Sequence, residues 1–273
     1  MSSRTNTHLL AAPRGSEAIS TLRSSGSGLI TPARAISHRE VRVRLVNPVG
    51  LIRRLGLPGS GPYVFLDSAG GNPDLCRFSF LAWNPRLTVT VRQGLAYLRG
   101  ADAVRDDGLP AGEAVELEVD DPFALIRELL EALAPDPLLT LSHDAPDRTQ
   151  PHGGVATLPV TGGAFGLISY DAGRYIEKLP QQAIDDLGLP EFDLIFPRRL
   201  ICYDHWRRSA RLIFEDAAPG ELEEVEGALR RQEAAGPPEA LEDIGRHTHS
   251  RSSRTGSNLT REDFQRMVRQ ARE

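Results

Sequence analysis

Cys202-Tyr203-Asp204-His205 places a thiol, a phenol, a carboxylate and an imidazole in one run, and His143, Asp144, Asp147 and His152 gather four potential metal ligands. The first set has the residue types of a thiol nucleophile with its base, the second those of a divalent-cation site. Neither has the frame its chemistry needs. Strand alternation sends Cys202 and Asp204 to one face and Tyr203 and His205 to the other, so the four read as a strand end running into a solvated turn. His143 to His152 lie in a Pro- and Asp-containing stretch without periodicity and read as a solvated loop. Phosphate-loop, dinucleotide, zinc-helix and nucleophile-elbow patterns are absent. Cys76 and Cys202 stand far apart with no C-x-x-C spacing, which excludes a disulfide framework and a structural zinc site. No catalytic residue and no metal ligand is assigned.

Two other segments carry more. Phe65-Leu66-Asp67-Ser68 is followed by Arg77-Phe78-Ser79-Phe80-Leu81 and Asn84-Pro85; Gly162 to Asp171 is followed by Gly173-Arg174, Glu177 and Leu179-Pro180. The plainer reading is strand and turn, with glycines for close backbone approach and aromatics for core. The ligand reading is also physical. A strand ending in Asp67-Ser68 offers a carboxylate and a hydroxyl to an ammonium group, and Phe78 can stack on an aromatic ring.

The surrounding elements must hold these residues in place. The chain has 273 residues, 40% hydrophobic and 25% charged, the balance of a globular protein. Its 32 basic and 37 acidic side chains leave a net charge of −5, so no global positive field points to nucleic acid. No apolar run approaches the roughly 18 residues of a membrane span, and Leu9-Leu10-Ala11-Ala12 is too short for a signal-peptide core. A cytoplasmic location is expected. Residues 1–38 read as a disordered leader, and order is expected from Glu40, where Val41, Val43 and Leu45 alternate with arginines. Asn47-Pro48 has the form of an N-cap and first helical residue. Strands are expected at Tyr63–Leu66, Arg77–Trp83, Leu87–Val91, Leu95–Leu98 and Ala114–Val119, with Asn84-Pro85 breaking the second from the third and Gln93-Gly94 turning tightly. Asp121-Pro122 opens a helix with Phe123, Ile126, Leu130 and Leu133 as its apolar positions. A buried strand over Gly162–Tyr170 leads to a short helix over Gly173–Lys178. A hairpin surrounds Asp204–Ser209, a helix runs from Gly220 to Glu233 through Leu222, Val225 and Leu229, and 236–257 is a polar linker. Thr260 and Asp263 have capping-box spacing before an apolar face of Phe264, Met267 and Val268. The fold class is α+β: an antiparallel β-sheet or sandwich half with flanking helices.

In this order and spacing, Leu66-Asp67-Ser68, Arg77 to Pro85 and Gly162 to Pro180 resemble component I of aminodeoxychorismate synthase and anthranilate synthase. Asp185 to Pro190 and Tyr203-Asp204-His205 continue the match, and Ser257 to Phe264 is similar to the opening of that family's chorismate-utilising domain. The resemblance implies 39–235 as the N-terminal domain of component I, 236–257 as linker, and 258–273 as the first helix of a chorismate-binding domain otherwise missing. It implies a non-catalytic tryptophan pocket at Leu66, Asp67, Ser68, Leu75, Cys76, Arg77 and Phe78. It also implies a glutamine amidotransferase subunit and a separate chorismate-binding domain as partners, and magnesium only in the complete enzyme, with no cofactor in this chain. Gly173 resembles the aminodeoxychorismate branch, which belongs to p-aminobenzoate and folate biosynthesis. An anthranilate synthase fragment, a stand-alone amino-acid-binding regulatory module and an inactive truncated product are the alternatives.

Overall fold

The computed structural model describes residues 8–9, 35–68, 76–100, 114–134, 160, 162–180, 185, 187–236 and 259–272. Two compact units, Met1–Gly236 and Pro237–Glu273, divide the chain.

The first unit is α+β and is built on a nine-stranded sheet, antiparallel throughout except at one short pairing. In chain order its elements are β1 (His8–Leu9), β2 (Ile36–Arg42), α1 (Pro48–Arg54), α2 (Leu57–Ser60), β3 (Tyr63–Leu66), β4 (Phe78–Arg92), β5 (Leu95–Gly100), β6 (Ala114–Glu118), α3 (Pro122–Leu133), β7 (Phe165–Ile168), a 3₁₀ turn (Tyr170–Tyr175), β8 (Phe192–Asp204), β9 (Ser209–Glu215) and α4 (Glu221–Ala234). The sheet order is β1-β6-β5-β4-β8-β9-β2, with β3 also on β4 and β7 also on β8. The expected fold class holds.

The long β4–β8 pair is the spine, and it carries apolar residues for both faces. On β8, Phe192, Leu194 and Phe196 enter one core cluster with α3, while Ile201 and Tyr203 enter another with α1 and α4. The odd spacing from Phe196 to Ile201 puts the two clusters on opposite faces of the strand. On β4 the corresponding residues, Leu81 and Trp83 against Leu87, Val89 and Val91, are all odd-numbered, so regular alternation would put them on one face. The register shifts between Pro85 and Leu87, and the extra residue, Arg86, inverts the alternation at that point. Asn84-Pro85 therefore bends the strand and does not break it. Asn84 takes the left-handed turn at φ 51°, which its short polar side chain tolerates, and proline is accommodated beside a bulge.

Several readings from sequence are corrected in the same way. Strand β2 begins at Ile36, paired with Glu215, and His8–Leu9 pairs in parallel with Val115 and Glu116. Both stretches fall within the expected leader, where they gain backbone partners that local composition does not reveal. The buried residues of α3 are Pro122, Leu125, Leu129, Ala132 and Leu133, whereas Leu130 is exposed. The helix is apolar over a wide arc, and the sheet selects the stripe. Gly162–Tyr170 is not a buried strand: β7 is a four-residue strand on β8 with only Phe165 buried. The turn that follows is 3₁₀ over Tyr170–Tyr175, in place of a helix to Lys178. The caps stand as expected, since Asn47 Oδ1 accepts from Gly50 N–H at 2.7 Å and Asp121 Oδ1 from Ala124 N–H at 3.0 Å. Gln93 and Gly94, at φ 51° and 79°, form the expected tight turn. The loop at 135–158 and nearly all of the 236–257 linker lie outside the described residues.

In the second unit, α5 (Arg261–Arg272) is capped by Thr260, whose Oγ1 accepts from Asp263 N–H at 3.1 Å and donates to Asp263 Oδ2 at 2.7 Å. None of its residues is buried.

Candidate ligand-binding site

Antiparallel pairing sets Leu66 opposite Phe80, so the chain leaving β3 passes Asp67 and Ser68 beside the start of β4. Ser68 N–H donates to Ser79 Oγ at 2.9 Å, and Ser68 Oγ donates to the Phe78 carbonyl at 2.8 Å. Ser79 is 1% exposed, and its hydroxyl lies 3.1 Å from Asp67 Oδ1 and 2.7 Å from His205 Nε2. One hydroxyl has one proton and two lone pairs. Asp67 can only accept, so it takes the Ser79 proton. Ser68 N–H fills one lone pair and His205 fills the other, which places a proton on Nε2. Burial outweighs the pull of Asp67 and Asp204 and holds the His205 pKa below its ordinary value. At neutral pH the ring is therefore uncharged, with Nδ1 bare.

Strand β8 delivers His205 to this point. Its backbone N–H donates to the Arg77 carbonyl at 2.9 Å, one step beyond the Phe78–Asp204 pair. Arg77 donates to Asp204 Oδ2 from Nε at 3.1 Å and Nη2 at 2.6 Å, while Asp204 Oδ1 accepts the backbone N–H groups of Trp206 and Arg207. The Arg77 guanidinium also sits 4.6 Å from the ring centroids of both Phe78 and Trp206. Tyr203 and His205 meet edge to face at 4.8 Å, the same-side arrangement that alternation requires. Cys202 is buried on the opposite side, and burial, reinforced by Asp204, pushes its thiol up to about 12. It has no thiolate to offer.

Four of the expected residues, Asp67, Ser68, Arg77 and Phe78, thus join one network at the end of the sheet. Leu66 is 46% exposed beside them, Cys76 is half-buried, and Leu75 lies outside the described residues. The Ser68 hydroxyl is committed to Phe78, and one face of Phe78 is covered by Arg77. From sequence, His205 reads as part of a solvated turn and Ser79 only as part of a strand motif, so the centre of the cluster goes unassigned; the alternation that puts His205 on the side of Tyr203 is the available signal. Beneath Ser79, Leu45, Leu51, Phe65, Leu81, Ile201, Tyr203 and Leu229 enclose only about 10 Å³, about enough for one water. Asp67 at the rim can attract a cation. Ser79 is too buried to act as a nucleophile, and its proton is directed to Asp67.

Among the described residues, no group of three or more His, Cys, Asp or Glu side chains could hold a metal ion. Nor is any helix among them long and apolar enough to cross a membrane.

The family model for chorismate binding enzyme matches residues 106–273, more than half of the chain. The chain belongs to the chorismate-binding enzyme family. That match begins far upstream of Ser257, so the expectation that this family's domain is missing apart from one terminal helix does not stand. Anthranilate synthase component 1 of Mycobacterium tuberculosis is 30% identical over 175 residues, covering 64% of this chain and 29% of that protein. Aminodeoxychorismate synthase component 1 of Klebsiella aerogenes is 28% identical over 194 residues, covering 71% and 34%. The chain thus spans about a third of the length of these relatives. Anthranilate synthase component I from Streptococcus pneumoniae aligns in structure over 77% of this chain and 39% of that one, at 19% identity and a TM-score of 0.33.

Proposed function

We propose that this chain is a component I protein of chorismate amination, of the aminodeoxychorismate type, working with a glutamine-hydrolysing subunit that supplies ammonia. In this reading the described sheet contributes an amino-acid pocket of the tryptophan kind and not the amination chemistry itself. The observation that carries it is the cluster Asp67–Ser79–His205 with Ser68. It fixes an exposed carboxylate at the rim of an apolar interior, the chemistry that holds an α-ammonium group, and Phe78, which precedes Ser79 on β4, is the aromatic ring at the same end of the strand. The closed interior implies a ligand held at the rim, with its indole partly wet, and hence weak binding.

Calorimetry with L-tryptophan tests this. A Kd of order 0.1–1 mM, about −5 kcal/mol, is expected; Asp67→Asn and Phe78→Ala should each remove the signal. Micromolar binding that survives both substitutions would refute the assignment. The anthranilate branch is the second reading, favoured by the mycobacterial relative. Rescue of a strain requiring p-aminobenzoate, against rescue of one requiring tryptophan, separates the two.

A further inference from the structure

Away from that cluster, the Gln93-Gly94 turn and the 3₁₀ turn Tyr170–Tyr175 face each other across a cleft of about 740 Å³, within the size range of ligand-binding clefts. Its floor is tied together before anything binds. Gly94 N–H donates to Tyr175 Oη at 2.9 Å, Gln93 N–H to Glu191 Oε2 at 2.9 Å, and Ser169 N–H to the Glu191 carbonyl at 2.9 Å. The walls are unusual for a surface that faces only water. Tyr170, Leu187 and Leu189 are 92%, 75% and 56% exposed, and large apolar side chains gathered in a concavity mark interaction sites. Tyrosine adds large contact area with few rotors to freeze.

The charge of the cleft says what would cover it. Asp120, Asp171, Asp185 and Glu191 line it, against Arg174, which pairs with Asp171 at 2.9 Å, and Arg92, which stands 3.9 Å from Asp185. Four carboxylates face two guanidiniums, so an anionic ligand is repelled and a cationic one attracted.

We propose that this cleft docks a segment of a partner protein carrying one or two arginine or lysine side chains beside apolar ones. The cations would answer the excess carboxylates, and the apolar side chains would cover Tyr170, Leu187 and Leu189.

The test titrates the full chain with a fluorescent peptide of alternating leucine and arginine, and with its leucine–glutamate twin, by anisotropy. The basic peptide should bind at least tenfold more tightly than the acidic one, and more weakly as salt rises. Asp120→Lys, and Tyr170→Ser combined with Leu187→Ser, should each weaken it at least tenfold without moving the urea midpoint, since these side chains are at the surface. Hydrogen exchange should slow at 169–175 and 187–191. Phe78→Ala should leave this binding intact, which separates it from the tryptophan reading. Absence of binding, equal binding of both peptides, or variants that bind like the parent chain would each overturn the proposal.

Discussion

Replacing Gln232, the single amide side chain of α4, with leucine should destabilise this protein measurably. Gln232 is fully buried; its Oε1 accepts the backbone N–H groups of Val46 and Asn47 at 3.1 and 3.0 Å, and its Nε2 donates to the Arg44 carbonyl. Glu233 accepts from Arg44 N–H at 3.0 Å beside it. Side chains of α4 thus stand where a neighbouring strand would, and they hold Arg44–Asn47, which leads directly into the N-cap of α1 and the floor below Ser79. Leucine has nearly the same volume, so the change isolates the hydrogen bonds. It strands two donors and one acceptor, each costing about 1–3 kcal/mol when buried. The three groups are only partly buried, so the low end applies, about 3 kcal/mol, offset by roughly 1 kcal/mol of better side-chain transfer. The net loss is about 2 kcal/mol. At a urea slope of about 2 kcal/mol/M, the midpoint should fall by roughly 1 M, with exchange accelerated at the Val46 and Asn47 amides. A fall below about 0.3 M, or unchanged exchange there, would show that water or a backbone shift replaces the amide and would refute this account of the clamp.

Other expectations concern the candidate site and the spine. His205 has a folded-state pKa below its unfolded value of about 6.5, so the unfolded chain binds more protons in that window; stability is fully present above pH 6.5 and is lost as pH falls through the folded pKa. His205→Gln should flatten this part of the urea-midpoint profile, and an unchanged slope would exclude His205 as its source. Cys202, buried with its thiol near 12, should resist a disulfide reagent at pH 8 while half-buried Cys76 reacts, giving one titratable thiol in the native chain and two in denaturant. Gly166→Ala should lower stability by more than about 2 kcal/mol, because the new Cβ would stand 2.0 Å from the Asp193 carbonyl oxygen on β8; a melting temperature equal to that of the parent would disprove this close approach.

Local chemistry wrote much of the architecture directly. Asn47-Pro48 and Asp121-Pro122 named two helix starts because a cap acts within three residues. Gln93-Gly94 named a turn because its backbone demands left-handed φ at both positions. Alternation over Leu87–Val91 named a strand, and alternation from Tyr203 to His205 named the side each would face. What the tertiary structure decided depends on partners distant in sequence. Arg86 fell in the expected break between two strands; as the bulged residue it inverts β4, lets one strand serve two cores, and reaches Glu215 and the last turn of α3. Gln232 lies outside the apolar positions Leu222, Val225 and Leu229 expected of its helix, and Ser79 is part of a strand pattern. Their roles come from Arg44–Asn47, about 186 residues away, and from His205, 126 residues away. Hydrophobic periodicity reports how much apolar surface an element has to bury, not which long-range neighbour will bury it or which buried polar atom will find a partner. The antiparallel sheet supplies those neighbours only once β4 and β8 are paired.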